Sequence, residues 1–144
     1  MDRTRVYDIL NELLAAEEAS LLPRLTECTT FVQPSDTGGL EAVQRMAAEH
    51  QANTARLTRT LIDLGGAPQP HVRDIDSAGF HYLELEVLLP QVVACEEATA
   101  SRCDAALPGL SECPSAALVA RELGSWHRVC ADYLRKLTPT PRAG

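Results

Sequence analysis

The chain has 144 residues, 45% of them hydrophobic and 23% charged, which is ordinary usage for one globular domain, and no apolar run approaches the ~18 residues of a membrane span. A net charge of −7 and a pI of about 5.0 provide no basic stripe for nucleic acid and no attraction to anionic membranes. The five cysteines (Cys28, Cys95, Cys103, Cys113 and Cys130) form no CxxC pair. Together with the lack of a signal-like apolar segment in MDRTRVYD, they argue for reduced cytoplasmic thiols and against a disulfide framework or zinc finger.

Apolar residues recur in steps of three and four, the period of a helix, and β-branched alternation is hard to find. The spacing predicts four helices. The first spans about Arg3 to Glu27, with a stripe of Val6, Leu10, Leu13 and Glu17; Pro23 should kink or end it. The turn-forming run QPSDTGG follows, and Ser35, Asp36 or Thr37 can cap the next helix. That second helix spans about Leu40 to Leu64, with a stripe of Val43, Ala47, His50, Thr54, Leu57, Leu61 and Leu64. It is stopped by Gly65-Gly66 and Pro68.

Residues 67–78, APQPHVRDIDSA, are too many for a tight hairpin and suggest a crossover along the bundle. The third helix spans about Gly79 to Leu107 with a stripe of Leu85, Leu89, Val92, Glu96, Cys103 and Leu107; Pro90 implies a kink or a nearby start. PGLSECP ends it, and Ser115 offers a cap for the fourth helix, which runs to about Leu137 on Ala116, Ala120, Leu123, His127, Cys130 and Leu134. The tail 138–144 reads as disordered. One stripe per helix, on helices of about 20–25 residues, gives an all-α four-helix bundle as a single domain, 1–137. A chain of this size folds alone, and a homodimer is an ordinary further step for it.

Each stripe has one polar residue where an apolar one is due: Glu17, His50, Glu96 and His127. Two carboxylates and two imidazoles then point inward, one from each helix. A buried charge must neutralise, pair or bind a cation. Carboxylate oxygen with imidazole nitrogen suits Fe, Zn or Mn. Asn53 and Cys130 follow the two histidines by three residues and share their faces, as outer supporting groups or extra ligands. The plainer alternative is a hydrogen-bonded core, each His satisfied by a Glu, with no metal. Trp126 and Tyr133 read as packing residues, Cys103 as a small buried hydrophobe, and Cys28 and Cys113, near helix ends, as the more exposed thiols. His71 and His81 read as solvent-facing. The sequence has no triad, phosphate loop or nucleotide fingerprint.

These segments resemble the ferritin-like superfamily, in particular its bacterioferritin and rubrerythrin type. LNELLAAEEASLLPRL looks like the family's first helix, with its metal-binding Glu at Glu17. HQANTARLTRTLIDLGGAP is similar to the end of its second helix, VVACEEATASRCDAAL to its third with Glu96, and HRVCADYLRKL to its fourth. The resemblance implies a metal at Glu17, His50, Glu96 and His127. It departs from the family's paired E-x-x-H motifs, which here read His50-x-x-Asn53 and His127-x-x-Cys130. A neutral imidazole offers one lone pair and cannot bridge two metals as a carboxylate does. The expectation is therefore a single-metal site of unknown reaction. The alternative is a metal-free scaffold acting as a structural or protein-interaction module. Haem is not expected, because the family's haem-binding Met falls at Gln51.

Overall fold

A computed structural model describes residues 1–27, 37–69 and 85–137. Its helices are α1 (Arg3–Glu18), α2 (Thr37–Asp63), α3 (Leu85–Ala106) and α4 (Pro114–Leu137), with 3₁₀ segments at Leu22–Glu27 and Leu107–Leu110. The expected four-helix bundle is what the chain forms. The caps Ser35 and Asp36, most of the crossover, the start of the predicted third helix, Cys28, His71, His81 and the tail lie outside the described residues.

Three boundaries differ from the sequence reading. α1 ends at Glu18 instead of Glu27. Pro23 has no N–H to donate to the Ala19 carbonyl and its ring would crowd that carbonyl in a continued helix, so α1 stops short of it and the chain resumes as a 3₁₀ segment from Leu22. Thr37 is the first residue of α2, which ends one residue before the expected Leu64. The stop itself is as read. Gly65 takes φ +97°, and a Cβ on Gly66 would lie 2.6 Å from Leu61 Cδ1 and 2.8 Å from Tyr7 Cδ1. Tyr7 Oη donates to Leu64 O at 2.7 Å. Asn11 then clamps the departing chain by donating to Ala67 O at 3.2 Å and accepting from Gln69 N at 2.8 Å. Ser115 is not the cap of α4. Pro114 occupies the first helical position, for which its fixed φ is suited, and Ser115 falls inside the helix. Pro90 sits within α3, near its start, as the sequence allowed.

The core divides into two apolar clusters. One gathers Leu10, Leu13 and Leu14 of α1, Leu57 and Leu61 of α2, Cys103 of α3, and Ala116, Ala120 and Leu123 of α4. The other gathers Leu22 and Leu25, Val43 and Met46 of α2, Leu88, Leu89, Val92 and Val93 of α3, and Cys130, Ala131 and Leu134 of α4. The four polar stripe residues fall between the clusters on every helix: Glu17 between Leu14 and Leu22, His50 between Met46 and Leu57, Glu96 between Val93 and Cys103, and His127 between Leu123 and Cys130. A polar layer therefore crosses the bundle between two apolar halves. Among the described residues no helix is long and apolar enough to cross a membrane.

Candidate functional site

All four predicted side chains are buried: Glu17 is 1% exposed, His50 4%, Glu96 0% and His127 0%. Helical spacing brings them inward, because each replaces an apolar residue on the face its helix turns to the core. They meet as a chain of contacts across the bundle. His127 is its middle. Its Nε2 lies 2.5 Å from Glu17 Oε1, and its Nδ1 bonds Glu96 Oε2. Ionised carboxylates only accept, so a ring that bonds two of them donates from both nitrogens and is an imidazolium. Burial disfavours that charge, but the hydrogen bonds and charges of Glu17 and Glu96 outweigh burial and raise the His127 pKa to about 9. Burial likewise opposes ionisation of Glu17, and the hydrogen bond and charge of His127, with His50 close by, overcome it to hold its pKa below the usual value.

The ends of the chain are anchored differently. Ser20 Oγ donates to Glu96 Oε1 at 3.3 Å and accepts from Leu22 N at 3.2 Å, which ties the end of α1 to α3. At the other end His50 Nε2 lies 3.1 Å from Glu17 Oε2. Its hydrogen goes instead to the Glu17 carbonyl oxygen at 2.9 Å, an acceptor that fixes this nitrogen as the protonated one. Glu17 Oε2 is therefore buried without a hydrogen bond, and so is Asn53 Nδ2.

Trp126 covers the layer from the side. Its ring meets His127 edge to face with centroids 5.0 Å apart, and its Nε1 donates to Glu49 Oε2 at 2.7 Å. The packing role read from the sequence therefore holds, with a polar tether added. Ser20 and the Glu49–Trp126 pair were not read from the sequence. The signal for Ser20 was its position three residues after Glu17, just before the apolar LLP run.

Cys130 packs in the apolar half beside His127. Burial, then the charges of Glu96, Glu49 and Glu17, push its thiol up to about 12, so it is held neutral. Cys103 is buried as expected, and its thiol is also pushed up to about 12, chiefly by burial. Cys113, read as one of the more exposed thiols, is 3% exposed because it closes the first turn of α4 against Leu110 and Ala117. Cys95, Cys103, Cys113 and Cys130 are free thiols.

Chemically the arrangement is a buried acid–base chain, Ser20–Glu96–His127–Glu17–His50, with the imidazolium of His127 between two carboxylates. The two-oxygen, two-nitrogen donor set suits a transition-metal ion. Its present geometry does not. His127 uses both ring nitrogens on carboxylates, and among the described residues no group of three or more His, Cys, Asp and Glu is arranged to hold a metal ion.

No protein-family model and no curated protein matches the chain. Among solved structures it is similar to Dps from Mycobacterium smegmatis (tetragonal form), with a TM-score of 0.64 and 16% identity over 94% of this chain and 83% of that one. At that identity the likeness concerns the fold alone, an all-α four-helix bundle like that of the Dps structure.

Proposed function

We propose that the chain is a ferritin-like scaffold whose central layer is held by an internal cation, the imidazolium of His127, in place of a metal. The observation that carries this reading is that His127 bonds Glu17 through one ring nitrogen and Glu96 through the other. A nitrogen that carries a proton has no lone pair for a metal. The likeness to bacterioferritin and rubrerythrin segments then describes what changed: the carboxylates of the first and third helices are kept, and those of the second and fourth are replaced by imidazoles. Replacing anions with bases that accept a proton lets the layer offset its own charge. The function left to such a bundle is that of a structural or binding module among reduced cytoplasmic proteins.

A second reading, a single-metal site, is favoured by the bare Glu17 Oε2 beside His50. Glu17, His50, Glu96 and His127 would hold the ion, which would have to displace the His127 proton. A bound ion of this kind supplies Lewis acidity to a ligand in an open position.

Elemental mass spectrometry on untagged protein separates the two, before and after reconstitution with Fe(II), Zn(II) and Mn(II). The scaffold reading expects well under one metal per chain and an unfolding midpoint unmoved by a chelator. About one metal per chain, lost in Glu17→Gln and His50→Ala, would overturn it in favour of the second.

A further inference from the structure

A cleft of about 340 Å³ lies on the outside of the bundle, away from the polar layer, where α1 faces the end of α3 and the 3₁₀ segment after it. Its size is at the lower end of small-molecule sites, about 300–1,000 Å³. Its floor is apolar, built on Ile9, Leu13 and Ala106. Gly109 keeps the floor open at one end. A Cβ there would lie 2.5 Å from Ile9 Cδ1 and 3.7 Å from Arg5 Nε. The guanidinium of Arg5 is thus at the edge of the apolar floor.

Arg102 and Glu12 complete the charged lining, which leaves the cleft one positive charge in excess. Among the described residues neither Arg5 nor Arg102 has an ion-pair partner, although the chain as a whole carries −7. An acidic protein that keeps an unpaired guanidinium beside an apolar floor is complementary to a ligand with one anionic head and an apolar body. From Arg5 to Leu13 the α1 edge of the cleft runs about 12 Å, from the helical rise per residue, which gives room for a short tail behind the head.

We infer that this cleft binds an amphipathic monocarboxylate of medium chain length. The carboxylate sits on the planar fork of Arg5, which is suited to bidentate recognition, and the chain lies along Ile9, Leu13 and Ala106. Head and tail each contribute, so neither suffices alone. The inference is independent of what fills the polar layer.

The test is a ¹H–¹⁵N titration of the full chain with octanoate, octanol and acetate. Octanoate should give saturable shifts confined to the amides of Ile9, Ala105, Ala106 and Gly109, with octanol and acetate at least tenfold weaker. Arg5→Glu should weaken octanoate at least tenfold, whereas Arg3→Glu, the same charge change outside the cleft, should leave it within twofold. Ala105→Trp fills the cleft from its exposed wall and should abolish the shifts in a chain whose melting is unchanged. Shifts that do not saturate or that spread over the surface, equal binding of octanol, or full binding by Arg5→Glu or Ala105→Trp would each overturn the inference.

Discussion

The two apolar halves of the bundle and the polar layer between them solve the same problem with different physics. Around Leu10, Leu57 and Leu61, burial is by apolar area alone, which is non-directional and indifferent to proton activity. Around His127, burial rests on a short chain of donors and acceptors in which the imidazole and its two carboxylates depend on one another's charge. The apolar half tolerates a change of shape at the cost of a cavity. The polar layer is held by its pairing, because a buried charge without its partner keeps its full desolvation penalty. The comparison teaches where this fold is specified: the halves fix the bundle, and the layer fixes the register of four helices against one another.

The largest expected effect comes from removing the middle of that layer. His127→Ala leaves Glu17 and Glu96 buried without a cation and should cost about 3–5 kcal/mol, read as a lower midpoint in urea. If the loss were under about 1 kcal/mol, the layer would not be the connected unit described here. Leu57→Ala, in the apolar half, should cost about 2–5 kcal/mol through lost burial and a cavity. The difference lies in pH. The Leu57→Ala cost should be the same at pH 6 and pH 9, and the His127→Ala cost should shrink between them.

The sign of that pH dependence follows from the shifts. The His127 pKa is raised in the folded chain from 6.5 to about 9, so its contribution is fully present below pH 6.5 and lost as pH rises through about 9. By the usual conversion this is about 3 kcal/mol, shared with the carboxylates that produce it. The Glu17 pKa is lowered, so its contribution is present above its unfolded value of 4.5 and lost as pH falls through its folded one. Thermal melts across this range should therefore give greatest stability between about pH 5 and 6.5. A profile flat from pH 6 to 10 would count against the imidazolium.

The smallest effect belongs to the surface. Arg56 of α2 pairs with Glu122 of α4 across exposed faces, and Arg56→Ala should cost under about 1 kcal/mol and less still at high salt. A larger, salt-independent loss would mean that the helices are aligned from outside instead of by the layer.

Much of this was legible in the sequence. The 3.6-residue period gave the helices, and Gly65-Gly66 gave the sharpest boundary. The break of Glu17, His50, Glu96 and His127 into apolar stripes predicted that these four meet in the core. What was not legible followed from tertiary contact. Periodicity placed α1 through Pro23, but the chain turns at Glu18, where Ser20 can tie α1 to Glu96. Cys113 looked exposed from its place near a helix end, yet the fold seals it beneath the first turn of α4. Nor can the direction of a histidine ring be read from a stripe. Spacing puts His127 in the layer, and only the structure has both of its nitrogens on carboxylates.

The most direct measurement of the central claim is the ¹H–¹⁵N spectrum of the His127 imidazole at pH 7.5 in metal-free protein. Trp126, the one tryptophan of the chain, packs on the ring and supplies an assignment contact. The account predicts two protonated ring nitrogens and a titration near pH 9. A neutral ring with a single N–H that titrates near pH 6.5 would contradict it.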